Sequence, residues 1–261
     1  MTSSIDPQIL SEAAERLQRV EERIQNACQK AGRSRSEITL VGACKRQPAE
    51  KIAASLLAGL SELGENYVQP AQVTEVQLQQ VLKDAGPDSG TPAYRWRMIG
   101  HLQRNKAGTA VETFEVIDSV DSLRLMKALD RKAEAHEKTL EIGIQVNLSR
   151  EESKSGVDPG NLTDLVASSS ELSNIQLVSL MTMPAPGAEA ARRDFAQLRE
   201  LRDMLRTERG GENLRDLNMG MSGDLEVAIE TGATVVRIGT DLFGERIAPG
   251  GPNGTQPKGD T

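Results

Sequence analysis

Aromatic residues, cysteine and histidine are all scarce in this sequence. Aromatics make up 2% of the 261 residues, with Trp96 the sole tryptophan and Tyr67 and Tyr94 the only tyrosines. The apolar content is therefore aliphatic, which suits a barrel interior layered with valine, isoleucine and leucine. The two cysteines, Cys28 and Cys44, have neither metal-ligand spacing nor the density of a disulfide scaffold, so both are read as reduced. Two histidines, His101 and His136, are too few for a histidine-based metal site or catalytic relay. No run approaches the ~18 apolar residues of a membrane span. The opening MTSSIDPQIL lacks the basic-then-apolar pattern of a secretory signal, so a cytoplasmic protein is expected. An excess of acid over base, 38 against 31 for a net charge of −7, argues against nucleic acid as the primary partner, though a local basic pocket is compatible with it.

What is present is a long alternation of β-rich and helical patterns. Asp6-Pro7 starts an amphipathic helix with apolar residues at Ile9, Leu10, Ala13, Leu17, Val20, Ile24 and Ala27, ending near Gly32. Strand patterns follow at 38–44, 59–63, 96–99, 116–119, 142–147, 175–181, 216–219 and 234–238. Helical patterns stand between them from Pro48, at 67–83, after Gln103, and at 122–136, 159–168, 188–208 and 223–231. About eight βα units predict parallel strands with helical crossovers closing into a single α/β domain, a (β/α)8 TIM barrel over residues 1–246. An open doubly wound sheet is the alternative. Residues 84–93 read as a surface loop and 247–261, rich in glycine and proline, as a disordered tail.

Lys45 ends the first apolar run, which places it at the carboxyl end of the first strand, where barrel active sites are built. A partly desolvated amine there can lose its proton and form a Schiff base with an aldehyde. Read alone, it is more often a surface lysine at a strand end. Near the seventh strand stands Asn218-Met-Gly-Met-Ser222, and the eighth ends Val236-Arg-Ile-Gly-Thr240. Loops after strands 7 and 8 are the usual phosphate site of barrels, and several charge-assisted hydrogen bonds of ~1.5 to 3 kcal/mol each would anchor the anion. Ser222 is also a normal helix cap, and Gly239-Thr240 a normal turn.

These blocks resemble the pyridoxal phosphate homeostasis proteins, the YggS/PROSC family. The resemblance runs from about Ile38 to Arg246 through Lys45-Arg-Gln-Pro48, Leu63-Gly-Glu-Asn-Tyr-Val-Gln69 and Trp96-Arg-Met-Ile-Gly-His-Leu-Gln-Arg-Asn-Lys106. It continues through Ile117-Asp-Ser-Val-Asp-Ser122, Val146-Asn147, Lys154-Ser-Gly-Val157, Leu180-Met-Thr-Met-Pro184, Met219-Gly-Met-Ser222, Val236-Arg-Ile-Gly-Thr240 and Phe243-Gly244. It implies the barrel of fold-type III pyridoxal phosphate proteins, without the extra β-domain of alanine racemase, and a monomer. It makes Lys45 the aldimine lysine, gives Ser222, Gly239 and Thr240 to the phosphate, lines the cofactor with Asn66 and Met221, and sets Arg237 against the pyridine nitrogen. A cation there would disfavour ring protonation and weaken the cofactor as an electron sink. Two positions depart from the family pattern: Arg97 where histidine is commoner, and Pro70 where an acid is usual. No family role carries over to Arg97, and His101, Lys106 and Lys154 stay open between the rim of the site and solvated or capping roles.

The resemblance implies a carrier that buffers pyridoxal 5′-phosphate and delivers it to apo-enzymes, with effects on amino-acid and keto-acid pools; a regulatory protein partner is compatible with it. A racemase or decarboxylase of the alanine-racemase kind needs a second acid or base. Only Tyr67 and Tyr94 offer one, and Tyr67 is expected to pack at a helix start. A barrel enzyme using Lys45 on a phosphorylated small molecule is the third reading. On the carrier reading, Trp96, expected at the carboxyl end of the third strand, is quenched when cofactor binds.

Overall fold

In the computed structural model, which describes residues 5–85, 92–149 and 155–245, eight strands close into a parallel barrel in sequential order. They are β1 (Thr39–Ala43), β2 (Glu62–Glu65), β3 (Arg95–Met98), β4 (Val116–Val120), β5 (Leu140–Gln145), β6 (Ile175–Met181), β7 (Asp216–Asn218) and β8 (Val235–Ile238). Closure is made by β1 on β8, with Val41 opposite Arg237 and Gly42 opposite Ile238. The open doubly wound sheet is thereby excluded.

Helices α1 (Pro7–Ala31), α2 (Ala49–Leu57), α3 (Val68–Asp84), α4 (Ala107–Thr113), α5 (Leu123–Ala135), α6 (Leu162–Ser169), α7 (Ala188–Leu205), α8 (Leu225–Thr231) and the short α9 (Thr240–Phe243) surround the barrel. The Asp6 carboxylate accepts from the Gln8 N–H to cap α1, Pro7 sits in its first turn where no N–H is needed, and Gly32 at φ 66° ends it in the left-handed region. The buried stripe Ala13, Leu17, Val20, Ile24 and Ala27 packs α1 on α2, α8 and α9, so this extra helix covers the seam between the last and first strands.

The barrel interior departs from the aliphatic layering expected of it. Ser179 of β6 donates from Oγ to Asp118 of β4 at 3.3 Å, and these strands, separated by β5, can meet only inside. Gly143 of β5 makes room for this contact, since a Cβ there would lie 2.2 Å from Ser179 Oγ and 3.2 Å from Asp118 Cα. Arg97 of β3 donates to both oxygens of Asp118, at 2.8 and 2.9 Å, and to Glu62 of β2 at 3.2 Å. The aliphatic mass lies mainly between strands and helices, joined by the fully buried Phe114, Phe195 and Phe243.

Of the remaining expectations, 59–63 was set too early as a strand, because Gly59 at φ 116° ends the helix before it. Most of the 84–93 loop, the whole of 247–261, and Lys154 lie outside the described residues.

Candidate functional site

The carboxyl ends of the strands gather the sequence-selected residues onto one rim. Lys45 follows β1, and its Nζ lies 5.4 Å from the centre of the Tyr67 ring. Asn66 follows β2 and shares a cleft of about 220 Å³ with Ile99, Gly100, His101, Gln145 and Asn147. Gly239 follows β8 and abuts the first strand: a Cβ there would meet Ala43 O at 3.5 Å. Met221 and Ser222 follow β7 and are brought beside β8 by the Arg237 N–H donating to Gly220 O at 2.9 Å. Thr240 opens α9. Barrel closure alone sets Gly239 against Ala43, two residues before Lys45.

Arg237 points inward from β8 and is buried. Its Nη1 donates to the Asn218 backbone carbonyl at 3.0 Å and to the Asn218 side-chain oxygen, and Nη2 to Thr182 O at 3.1 Å. Burial pulls its pKa down to about 10, opposed by Asp118 and Asp224, so at neutral pH it remains a cation. Burial also acts to raise the Asp118 carboxyl, but the charge and hydrogen bonds of Arg97 hold it below its ordinary value. Arg97, left without a role by the sequence, is thus the counter-ion of the interior. Among the described residues the buried Gln47 Oε1 has no hydrogen-bond partner, and the Asn218 amide, outside strict hydrogen-bond geometry, still faces Asp118 and helps hold that carboxyl down.

Glu65 was missed. It closes β2 at 2% exposure, and its Oε1 accepts from the Asn66 N–H at 2.6 Å. Burial pushes its carboxyl up to about 7, against the pull of the Asn66 and Tyr67 amides and the Lys45 charge. A glutamate set at the end of a strand within Leu63-Gly-Glu-Asn-Tyr was the available signal. Tyr67 is 53% exposed and beside Lys45, not packed at the helix start. Trp96 is the second residue of β3 and faces the helices, where its Nε1 donates to Glu75 of α3 at 2.7 Å; it does not stand at the carboxyl end as expected. His101 Nδ1 lies 3.2 Å from Asp121, half exposed at the edge of the cleft, and Lys106 precedes α4 in a short 3-10 turn. The described residues hold no metal-binding group of histidine, cysteine and carboxylates, and no helix among them is long and apolar enough to cross a membrane.

The closed parallel barrel, with an amine after its first strand and glycine-bearing loops after its last two, is of the alanine racemase N-terminal domain class, whose family model matches residues 16–247. At 42% identity over 236 residues, 90% of this chain aligns with 98% of a pyridoxal phosphate homeostasis protein from Aquifex aeolicus. A structure of PipY from Synechococcus elongatus with PLP bound superposes with a TM-score of 0.76 at 32% identity, over 89% of this chain and 100% of that one. A protein of unknown function from Bifidobacterium adolescentis gives a TM-score of 0.84 at 34% identity, over 93% and 99%. The chain belongs to the pyridoxal phosphate homeostasis protein family.

Proposed function

We propose that this chain binds pyridoxal 5′-phosphate through Lys45 and the loops after β7 and β8, and serves as its intracellular carrier, buffering and delivering it without turning over an amino acid. The observation that carries this reading is the β1–β8 pairing, which sets Ala43, two residues before Lys45, beside Gly239, the residue before Thr240. Family membership and the PLP-bound relative support the choice of ligand.

The residues present fit such a group. Gly223, next to Ser222, is exposed and a Cβ built on it meets nothing within 4 Å, so its backbone is as open to a ligand as to solvent. The Asn218 side chain at the end of β7 is already engaged, its oxygen by Arg237 and its amide toward Asp118, so the donors for a phosphate are left to the loops. When bound, the cofactor supplies an aldehyde that condenses with an amine and a phosphate monoester that needs N–H and O–H donors. Lys45 Nζ would provide the amine, and Ser222, Gly239 and Thr240 the donors. Asn66 and Met221 would flank the ring. Arg237, fixed by three carbonyl oxygens, would present a cation to the ring nitrogen and keep a proton off it, which opposes carbanion chemistry and suits storage.

Incubating the protein with pyridoxal 5′-phosphate, reducing with borohydride and mapping the added mass tests the assignment. Mass at Lys45 is expected; mass elsewhere ends it. Lys45→Ala should lose the visible absorption yet retain measurable binding by calorimetry, because the phosphate donors remain. Alone or together, Ser222→Ala and Thr240→Ala should weaken pyridoxal 5′-phosphate far more than pyridoxal. Transfer to an apo-enzyme, faster than from free cofactor, would mark delivery, whereas rapid α-proton exchange on an amino acid would make the chain a racemase or decarboxylase relative. A cytoplasmic location and a monomeric state belong to the same proposal.

A further inference from the structure

Arg23 lies in α1, outside the eight βα units, yet its guanidinium reaches both loops at the mouth. Nη2 donates to the Ser222 carbonyl at 2.8 Å and to Glu226 Oε2 at 3.0 Å, Nε donates to Glu226 Oε1 at 2.8 Å, and Nη1 donates to Asp241 Oδ2 at 2.6 Å. Glu226 is in the first turn of α8, and Asp241 directly follows Thr240. One rigid fork thus joins the loop after β7 to the loop after β8, at the two places where Ser222 and Thr240 stand.

Two physical consequences bear on an anion. A planar trans peptide points its C=O and N–H in opposite directions, so holding the Ser222 carbonyl toward α1 turns the Gly223 N–H away from it, on a residue whose missing Cβ leaves open space. Glu226 and Asp241 would otherwise leave two carboxylates close to an incoming phosphate. Arg23 pairs with both, offsetting one of the two negative charges, and, by hydrogen bonding first of all, holds Glu226 below the usual carboxylate range. At 34% exposure the side chain forms ion pairs of the partly solvated kind, which contribute little to stability; its product is geometry and charge balance.

We propose that Arg23 is a positioning residue for the anion cradle: it holds the loops after β7 and β8 in register and ties back the two carboxylates beside them, without itself touching the ligand. This rests on the reading of those loops as the phosphate site. The test compares the affinities of Arg23→Gln, Arg23→Lys and Asp241→Asn for pyridoxal 5′-phosphate, pyridoxal and competing inorganic phosphate, with thermal unfolding alongside.

Arg23→Gln should lose about tenfold or more in affinity for the two phosphate ligands while pyridoxal changes less than about twofold, and Arg23→Lys should recover only part, because it restores charge without the fork. A merely structural role would weaken pyridoxal equally, and that result overturns the proposal, as does an unchanged phosphate affinity. If Arg23→Gln does not fold, the same comparison in Asp241→Asn, which breaks only the α9 arm, decides. Ser222→Ala and Thr240→Ala separate the two failures. If they cost phosphate affinity and the Arg23 variants do not, the positioning role alone falls; if they cost nothing, the phosphate site itself is elsewhere and the proposal falls with it.

Discussion

Among single residues, Arg97 and Glu65 show how burial assigns roles that residue type does not. Arg97 is 5% exposed and bidentate on an Asp118 that is wholly buried, so truncating it strands a carboxylate in the barrel interior. Arg97→Ala should cost about 3–5 kcal/mol in urea unfolding, with Asp118→Ala in the same background recovering part of the loss. Glu65 has a carboxyl raised from 4.5 to about 7, so the folded state prefers its protonated form. The stability this group supports is complete below the unfolded value and is lost as pH rises through about 7. Wild type should therefore weaken relative to Glu65→Gln between about pH 5 and about pH 8, by up to about 3 kcal/mol, in paired urea titrations.

At the scale of elements, function depends on how closely strand ends approach. Gly100 follows β3, and a Cβ there would lie 2.4 Å from the Asn66 carbonyl oxygen and 2.7 Å from its Cα, contacts with backbone that cannot rotate away. Gly100→Ala should push the end of β2 outward and displace Asn66. The expected outcome is a loss of pyridoxal 5′-phosphate affinity of at least about tenfold, with a smaller loss of thermal stability, by calorimetry and melting. Affinity at the wild-type value would show that Asn66 is not held in place by this contact. The extra helix α1 belongs to the same scale. Its apolar stripe was readable from sequence, but the helices it packs on were not, because an amphipathic pattern names a face and not its partner.

For the molecule as a whole, the arrangement separates a polar, charged barrel interior from an aliphatic shell between strands and helices. Trp96 is in that shell, buried with its indole N–H on Glu75 of α3, so it should not touch bound cofactor, and Trp96→Phe should change pyridoxal 5′-phosphate affinity by less than about twofold in calorimetry. A loss of about tenfold or more would place the ligand against the indole, away from the proposed rim. Eight strand patterns, their parallel connection and the residues of the rim were legible because periodicity, glycine placement and motif order are local properties. The interior network was not legible: Arg97, Asp118, Ser179 and Arg237 come from four strands, and each reads in isolation as an ordinary polar position in a β-run.

By itself the sequence determined the βα alternation, the family, and which amine and which loops to suspect, since each is written in a short contiguous block. Tertiary structure alone decided that Tyr67 stands beside Lys45, that Trp96 faces the helices, that a buried arginine–aspartate pair fills the interior, and that an arginine of the first helix grips both anion loops. The reason is distance along the chain. Arg23 and Asp241 are brought together only when β8 closes on β1, and no local pattern carries information about that closure.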